Sequence, residues 1–351
     1  MKSVKEAEVS GKKVLLRADL DVPLKNGRIA DDFRIQAALP TVRYLVKNKA
    51  KVIIIGHLGR PKGKVVKKLR LDPVARWFVE TGHAPSLQKL DDCVGPEVEK
   101  AVEAMAEGDI LLLENLRFHK GEIKGMKGTG PACRQAGPDL AVELASLADL
   151  YVNDCFATSH REHASIVRVP KLLPSYAGLR LMEETTALCS AEVFAQKPVI
   201  IVVGGAKAET KTPLVKKLSK IADKILLGGT LMFEKSLEGV PNVVFPIDAV
   251  GIEDIGPATI KMFVDEIEKA KTVVWNGPLG VTNSKEFEVG TRKIAEALAE
   301  SAAYTVIGGG DTVAALTRFG LRDKINFVST GGGAMLQFLA DGTLPGIEVL
   351  G

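Results

Sequence analysis

The sequence predicts an α/β protein built from two parallel-sheet domains, and three observations carry this prediction. The chain has 351 residues, more than the roughly 250–300 that one hydrophobic core usually serves. Short apolar runs alternate with segments of helical period, such as residues 37–47 and 257–270, which is typical of parallel sheets covered by helices. The apolar runs are continuous stretches of Val, Ile and Leu, as in strands buried on both faces.

Each half of the chain supplies its own set of candidate strands. In the first half they are KVLLRAD, KVIIIGH, DILLLEN and DLYVND. In the second half they are VIIVVGG, KILLGG, NVVFPID, TVVWNG, YTVIGGG and INFVSTGG. The segment 171–192 between the two sets has the pattern of a helix. We therefore expect two Rossmann-like domains, residues 1–172 and 193–339, joined by a helix.

Composition and charge exclude several classes of protein. Hydrophobic residues make up 46% and charged residues 26% of the chain, as in soluble globular proteins. The net charge of +4 and the lack of long basic blocks allow an anionic ligand without indicating nucleic acid. The segment MKSVKEAEVSGKK has no apolar core of a signal peptide, no apolar run reaches 18 residues, and the four cysteines are widely spaced. These features predict a cytoplasmic protein without a membrane span.

The candidate strands of the two halves end differently. Those of the first half end in charged or polar residues, namely Asp19, His57, Glu114 and Asp154, whereas those of the second half mostly end in glycine. Because α/β sheets bind ligands beyond the carboxyl ends of their strands, the sequence predicts two chemically different sites.

The first-half site is predicted to bind a small anion. Arginines follow several strands of this half, and guanidinium groups bind phosphate and carboxylate through paired hydrogen bonds. The candidates are Asp19, Asp21, Arg34, His57, Arg60, Arg117, His119, His160, Arg161 and His163. The alternative is that each arginine is an ordinary surface charge. The histidines of HREH are weak candidates for metal ligands, and structural or substrate contacts suit them better.

The second-half site is predicted to bind a nucleotide polyphosphate. GGAKAETK, WNGPLG, GGGDT and STGGGA all follow apolar runs, and glycine lets backbone N–H groups approach phosphate closely. Lys207 and Lys211 add positive charge, and Asp311 is a candidate ligand for Mg²⁺. The alternative is that the glycines only form tight turns between strands and helices.

The ordered set of motifs resembles the phosphoglycerate kinase family over nearly the whole chain. The motifs are RADLDVP, HLGRPKG, LLLENLRFHKGE, VNDCFATSHREHAS, GGAKAETK, TVVWNGPLGV, GGGDT and STGGGA. The resemblance implies two hinged α/β domains and a reversible reaction in which 1,3-bisphosphoglycerate and ADP give 3-phosphoglycerate and ATP with Mg²⁺. It also implies that residues 173–192 form the hinge helix and that residues 340–351 pack back on the first domain.

The resemblance implies roles for individual residues. The phosphoglycerate would contact Asp19, Asp21, Arg34, His57, Arg60, Arg117 and Arg161. The nucleotide would contact Gly205, Lys207, Lys211, Asn276, Asn283, Gly309, Gly310, Asp311 and Thr312, with Asp311 holding the metal. Catalysis would fall on Arg34 and Lys211 as charges on the transferred phosphoryl group, and on Gly310 and Gly333 as backbone donors.

The chain departs from the family pattern in ways that concern binding. Asp21 stands where the family has asparagine, which places a carboxylate near an anionic substrate. Asn283 replaces the glutamate that holds the nucleotide ribose, and Thr230 replaces a glycine near the base. The second domain is also short on both sides of NVVFPID, where the family has connections that wall the adenosine.

Three functions remain open from the sequence. The first is an active, monomeric phosphoglycerate kinase. The second is a non-catalytic relative that binds phosphoglycerate but has an impaired nucleotide site, which the departures at Thr230 and Asn283 motivate. The third, nucleic-acid binding, has only the mild positive charge in its favour.

Overall fold

The structure, a computed structural model of the chain, describes residues 1–84, 86–123, 139–189 and 196–351. The chain divides into two compact units. The first unit contains Met1–Glu184 together with Leu344–Gly351, and the second contains Thr185–Thr343. Among the described residues, no helix combines the length and the apolar character that crossing a bilayer requires.

The first unit is built on a parallel six-stranded sheet with the order β5-β6-β4-β1-β7-β8. Strands β2 and β3 form a separate antiparallel hairpin. The predicted strands of this half are all present, as β1, β4, β6 and β7, whereas the short edge strands β5 and β8 are not among those predicted. The strands are β1 Lys13–Arg17, β2 Leu24–Lys25, β3 Arg28–Ile29, β4 Lys51–Ile55, β5 Gln88–Lys89, β6 Ile110–Leu112, β7 Leu150–Asn153 and β8 Ser175–Ala177.

Helices cover this sheet and close its core. The longest, α1, buries Ile35, Leu39 and Val42 at helical spacing in one cluster with the strand residues Val14 and Leu16. The helices are α1 Phe33–Lys47, α2 Asp72–Glu80, α3 Pro96–Glu103, α4 Lys120–Ile123, α5 Leu140–Ser146 and α6 Leu179–Ala187. Short 3₁₀ helices lie at Val4–Glu6, Lys67–Leu69, Leu116–Phe118, Phe156–Thr158 and Val169–Lys171, and a π-helical turn at Ala164–Arg168.

The second unit repeats this design with a parallel six-stranded sheet of order β11-β10-β9-β14-β15-β16. Every strand predicted in this half is present, although NVVFPID contributes only the two residues of β11. The hairpin β12–β13 is antiparallel. The strands are β9 Val199–Val203, β10 Lys224–Leu227, β11 Val243–Val244, β12 Ala249–Val250, β13 Asp254–Ile255, β14 Thr272–Asn276, β15 Tyr304–Gly308 and β16 Phe327–Ser329.

The helices of the second unit pack Phe263, Ile267, Ile294 and Leu298 into one core cluster with the buried strand residue Trp275. They are α7 Ala208–Leu218, α8 Pro257–Lys269, α9 Val289–Glu300, α10 Gly310–Phe319 and α11 Gly332–Asp341. The 3₁₀ helices of this unit lie at Gly229–Phe233, Lys235–Leu237 and Arg322–Lys324.

The chain end belongs to the first unit, where helix α12, Pro345–Glu348, lies. The amide of Gly346 donates to the carbonyl oxygen of Ser159 at 2.8 Å. The Asn153 side chain donates to the carbonyl oxygen of Gly346 at 3.2 Å. These hydrogen bonds fasten the tail beside the carboxyl end of β7.

The connection between the units differs from the helix that the sequence predicts over residues 171–192. Ser175–Ala177 form the edge strand β8, and the helix α6 covers only Leu179–Ala187. A strand forms here because β7 offers a free edge, to which SYA adds by parallel pairing. Residue 192, the predicted end of the helix, lies outside the described residues.

The strand registers align the predicted site residues. In the first unit Arg17 of β1 pairs with Ile55 of β4 and Asn153 of β7, so these three strands end at one level. In the second unit Asn276 of β14 pairs with Val203 of β9 and with Gly308 of β15. The segments after these strands therefore meet at the carboxyl edge of each sheet.

Asp154, just after β7, gives a pH-dependent stability prediction. Its carboxylate accepts hydrogen bonds from the amides of Arg180 and Leu181 at the start of α6, at 2.8 and 3.2 Å. Burial raises the pKa of Asp154 to about 7 from its ordinary 3.8. Between these values the folded state holds more protons than the unfolded state, so this group's contribution to stability falls as pH rises. Asp154→Asn should gain stability relative to the parent between pH 4 and 7, by roughly 3–4 kcal/mol.

Urea unfolding of both proteins at several pH values measures this difference. Glu8→Gln, which removes a carboxylate from an exposed position, controls for the loss of one negative charge. A stability difference between Asp154→Asn and the parent that stays constant from pH 4 to 7 would contradict the raised pKa.

Candidate functional site

The centre of the first-unit site is a contact among Arg34, Asp19 and Asp21. Arg34 Nε lies 3.5 Å from Asp19 Oδ2, and Arg34 Nη1 lies 3.7 Å from Asp21 Oδ2. The same Nη1 donates to the carbonyl oxygen of Asp21 at 2.9 Å. Asp19 is buried, and its Oδ2 has no hydrogen-bond partner within the described part of the chain. The cluster thus holds one buried carboxylate oxygen that a ligand hydroxyl can satisfy.

His57 joins this cluster in its neutral form. Arg17 donates to His57 Nδ1 at 2.9 Å, so the ring proton sits on Nε2, which faces Asp21 Oδ2 at 3.5 Å. Burial, together with the charges of Arg17 and Arg117, lowers the pKa of His57 to about 3. Although burial alone would raise it, the contacts with His57, the Gly59 amide and Arg34 lower the pKa of Asp21. Asp21 is therefore a carboxylate at neutral pH, bound to the Gly59 amide at 2.8 Å.

A buried network behind the cluster is absent from the sequence-based prediction. Arg17 is fully buried, and its Nε donates to Ser165 Oγ at 3.1 Å. Ser165 Oγ donates in turn to Glu122 Oε1 at 2.7 Å, and the Ser165 amide donates to Glu122 Oε2 at 2.9 Å. The sequence offered one indication of this network, the arginine inside the apolar run KVLLR, because a buried charge needs a partner. The network fixes Arg17, and through it the ring of His57.

The surroundings of the cluster are electropositive. Burial followed by the charge of Arg161 lowers the pKa of His160 to about 4, and burial followed by the charge of Arg117 lowers the pKa of His163 to about 3. Both rings are therefore neutral at pH 7, and the positive charge beside them comes from Arg117 and Arg161. Such a region favours an anionic ligand.

The other predicted arginines of this site lie around the cluster. Arg117 donates to the carbonyl oxygen of Gly59 at 2.9 Å, which ties it to the loop that also binds Asp21. Arg60 and Arg161 are exposed, and within the described residues neither guanidinium group makes a hydrogen bond or an ion pair. The structure thus joins Arg34 and Arg117 to the cluster and leaves Arg60 and Arg161 as free cations.

A cavity of about 500 Å³ borders this cluster. Asp21 and Gly59 form part of its wall, and Lys67, Lys68 and Arg70 line it as well. The cavity has room for a small organic anion, and its lining combines the lysines with the carboxylates of Asp21 and Asp72.

In the second-unit site, Lys211 fills a corner made of glycines. Its ammonium group donates to the carbonyl oxygen of Gly204. A Cβ atom at Gly277 would lie 2.6 Å from Lys211 Nζ, and one at Gly205 would lie 3.2 Å from it. Gly205 has a φ of +84°, which side chains rarely adopt, and its amide donates to the carbonyl oxygen of Pro278 at 2.6 Å. Burial lowers the pKa of Lys211 to about 8, although the charge of Asp311 opposes this shift.

Hydrogen bonds at Asn276 and Gly277 connect the glycine segments that follow strands β14 and β15. Its side-chain amide donates to the carbonyl oxygen of Gly308 at 3.0 Å, and the Gly277 amide donates to Thr312 Oγ1 at 2.9 Å. Gly332 packs so closely that an added Cβ would lie 2.5 Å from Gly309 Cα and 2.6 Å from Asn276 Nδ2. The ends of β14, β15 and β16 thus form one glycine-lined cradle.

The remaining predicted residues of this site differ in exposure. Gly310, Asp311 and Gly333 lie in the first turns of α10 and α11, where unpaired amides favour anions, and all three are exposed. Lys207 caps the start of α7 and is exposed. Thr230 binds the carbonyl oxygen of Gly205 through its hydroxyl group at 2.9 Å.

Asn283 is exposed on the loop between β14 and α9. Arg318 holds this loop, because it donates to the carbonyl oxygen of Thr282 at 2.7 Å and pairs with Glu288 at 2.7 Å. The described contacts of Asn283 include no residue of the cradle.

Known proteins resemble this chain over its full length. The family model described as "Phosphoglycerate kinase" matches residues 4–240 and 235–342. A phosphoglycerate kinase of Dictyoglomus turgidum is 41% identical over 399 residues, with 99% of this chain and 97% of the relative covered. A phosphoglycerate kinase of Moorella thermoacetica is 40% identical over 398 residues, with 99% of this chain and 98% of the relative covered. These alignments are longer than the 351 residues of this chain, so it lacks several dozen residues that the relatives have.

Solved structures give the same result. The chain matches phosphoglycerate kinase of Pyrococcus horikoshii with a TM-score of 0.84 and 31% identity, covering 100% of this chain and 98% of that one. It matches the phosphoglycerate kinase of Coxiella burnetii with a TM-score of 0.78 and 34% identity. That match covers 99% of this chain and 98% of the other. The two family-model matches overlap at residues 235–240, beside the connection that the sequence predicts to be shortened. By sequence and by structure, the chain belongs to the phosphoglycerate kinase family, as a shortened member.

Proposed function

We propose that this protein transfers a phosphoryl group reversibly between 1,3-bisphosphoglycerate and ADP, giving 3-phosphoglycerate and ATP in glycolysis or gluconeogenesis. The observation that carries the proposal is the position of Lys211, whose ammonium group lies in a corner of glycines at the carboxyl edge of the second sheet. A cation held in place at this edge of the sheet suits the oxygens of a transferred phosphoryl group.

The first unit is the proposed phosphoglycerate site. The free guanidinium groups of Arg60 and Arg161, with Arg34 and Arg117, supply the paired donors that a phosphate and a carboxylate accept. The unpartnered oxygen of Asp19 accepts a hydrogen bond from the substrate hydroxyl. Phosphoglycerate carries all three groups, so it matches the donors and the acceptor of this site.

The second unit is the proposed nucleotide site. Lys207 and Lys211 neutralise phosphate charge, and the amides at Gly309, Gly310 and Gly333 donate to phosphate oxygens. The Asp311 carboxylate is exposed and lies near enough to Lys211 to influence its pKa. One such carboxylate together with nucleotide phosphates fits Mg²⁺, which would draw charge from the phosphates when bound. Thr312 fixes the Gly277 turn, and Asn283 is proposed to contact the ribose.

The reaction needs no general base from the protein. The attacking atom is a carboxylate oxygen of 3-phosphoglycerate in one direction and a phosphate oxygen of ADP in the other, and both are already deprotonated. Catalysis then consists of positioning and charge neutralisation. Because transfer requires the two ligands to meet without water, we also propose that the connection 173–192 acts as a hinge.

A coupled assay in the direction of 1,3-bisphosphoglycerate formation tests the function. The protein receives 3-phosphoglycerate, Mg²⁺ and either ATP or GTP, and NADH oxidation reports the product. We expect turnover of roughly 1–10³ per second with at least one nucleotide. The ratio of the two rates shows what Asn283 and the shortened second unit change. Folded protein that binds 3-phosphoglycerate but turns over neither nucleotide would contradict the proposal and favour the non-catalytic binder.

The substitution Asp21→Asn is expected to tighten phosphoglycerate binding. Asp21 is ionised and lies 3.7 Å from Arg34, so its negative charge opposes an anionic substrate and offsets part of that arginine's charge. An amide of the same shape removes this charge. We expect KM for 3-phosphoglycerate to fall roughly 3- to 10-fold, as expected for removal of one partly screened charge.

Steady-state kinetics at two salt concentrations measure this effect, which should shrink at high salt. Glu107→Gln is the matched control, because it removes a negative charge from an exposed pair with Lys49. An unchanged KM in Asp21→Asn, or an equal fall in the control, would show that the Asp21 charge does not act on the substrate.

The remaining properties stay predictions. We propose a cytoplasmic monomer that acts on small molecules and does not bind nucleic acid. Sedimentation at micromolar concentration tests whether the protein is a monomer. A titration with DNA at low salt tests nucleic-acid binding, and we expect a flat binding curve.

A further inference from the structure

Three potential metal ligands converge at one side of the first unit's sheet. Asp92 and Cys93 follow the edge strand β5, and His119 follows the 3₁₀ helix Leu116–Phe118 after β6. Because β5 and β6 are neighbours in the sheet, these two segments meet beyond it. A carboxylate oxygen of Asp92, the Cys93 sulfur and a His119 ring nitrogen all lie within 4.8 Å of one another.

The chemistry of this trio favours Zn²⁺ over Mg²⁺. Sulfur, imidazole nitrogen and one carboxylate oxygen are ligands of zinc, whereas Mg²⁺ prefers oxygen alone. Around zinc such atoms lie about 3.3–3.5 Å apart, given Zn–S near 2.3 Å and Zn–N near 2.0 Å. Asp92 Oδ1 and His119 Nε2 are 2.8 Å apart in a hydrogen bond, and the three ligand atoms lie within 4.8 Å of one another. Binding an ion therefore breaks this hydrogen bond and draws the two side chains around the sulfur.

The exposure of the ligands suits entry of an ion. Cys93 is fully buried and gives a fixed anchor, while the side chains of Asp92 and His119 are 61% and 29% exposed. The two exposed ligands sit on loops and can rotate toward the sulfur. Water from the open side can then occupy a fourth position.

Two hydrogen bonds hold the sulfur and the carboxylate in place. The Cys93 thiol donates to the carbonyl oxygen of Glu114 at 2.9 Å, and Asp92 accepts a hydrogen bond from the Cys93 amide at 2.7 Å.

We propose that Asp92, Cys93 and His119 form a binding site for one Zn²⁺-class ion, distinct from the magnesium-nucleotide site of the second unit. Binding replaces the thiol proton of Cys93 by the metal, and the proton leaves to solvent. The ion would link the loop after β5 to the segment that carries Arg117, and so stabilise this edge of the first unit.

Cobalt(II) absorption of the full-length, reduced protein without substrates tests the site. Co²⁺ bound to a thiolate gives an intense near-ultraviolet charge-transfer band and visible bands of a tetrahedral site. We expect these bands at one equivalent of Co²⁺, with displacement by Zn²⁺ but not by a large excess of Mg²⁺. Zn²⁺ affinity, measured by competition with a chromophoric chelator, should fall about 100-fold or more in Cys93→Ser and in His119→Gln.

The variants separate this site from other thiols. Cys189→Ser is the matched control, because Cys189 lies outside the trio and is partly exposed, and it should keep the cobalt bands. His119 is partly exposed, so His119→Gln tests the site even if Cys93→Ser does not fold. Absence of the bands in the parent, or bands of equal strength in folded His119→Gln, would overturn the proposal.

Discussion

Replacement of Lys211 by alanine should lower turnover by about two orders of magnitude or more, as removal of a transition-state charge contact does. The pKa of about 8 leaves this ammonium group charged at pH 7. It is held by the carbonyl oxygen of Gly204 and packed against Gly277, which fixes the position of its charge. Because the charge acts on the transferred phosphoryl group, kcat and kcat/KM should fall together.

Two further lysine substitutions, at the start and in the last turn of helix α7, serve as comparisons for Lys211→Ala. Lys216→Ala removes an exposed lysine from the last turn and should leave the rate unchanged. Lys207→Ala, at the start of the helix, should raise KM for the nucleotide more than it lowers kcat. A raised KM with unchanged kcat in Lys211→Ala would contradict the catalytic role, because it would show that Lys211 binds substrate and transition state equally well.

The fold could be predicted from the sequence because the patterns that define it are local, and the prediction of two chemically different sites also depends on local residue types. Continuous apolar runs mark buried parallel strands, and the residue types after them differ between the halves. The registers then bring the segments after β1 and β4 together, which places Asp19 and Asp21 near His57. Alignment at the carboxyl ends of parallel strands is a general property of this fold class, so the meeting of these residues could be predicted.

The parts that the sequence did not reveal depend on strand order and on distant pairs. In the sequence, Arg17 looks like an ordinary strand residue. Its hydrogen bond with His57 depends on the position of β1 between β4 and β7 in the sheet. Ser165 and Glu122 lie 43 residues apart along the chain, and no pattern in either segment indicates the other. Edge strand β8 was not predicted for a similar reason. Its three residues form a strand because they pair with β7, and their own sequence pattern does not indicate one.

The expected effect of Gly332→Ala is a large loss of nucleotide binding. The new methyl group would lie 2.5 Å from Gly309 Cα and 2.8 Å from the Gly309 nitrogen, and it would also meet the Asn276 amide at 2.6 Å. Backbone atoms cannot rotate away, so α11 or the Gly309 turn must shift. A shift of this kind costs about 1–3 kcal/mol and moves the amide donors of the cradle. We expect the affinity for Mg-ATP to fall roughly 10- to 100-fold, since each 1.4 kcal/mol is tenfold.

Calorimetric titration with Mg-ATP and urea unfolding separate the loss of binding from a loss of folding. Gly308→Ala is the matched control on the same cradle, because its Cβ would meet chiefly the sulfur and terminal methyl group of Met335, at 2.8 and 3.1 Å. That flexible side chain can move, so the effect should be several times smaller. The affinity for 3-phosphoglycerate should stay unchanged in both variants, since its proposed site is built from first-unit residues. Equal Mg-ATP affinity in folded Gly332→Ala and in the parent would show that the close packing of α11 against Gly309 does not shape the nucleotide site.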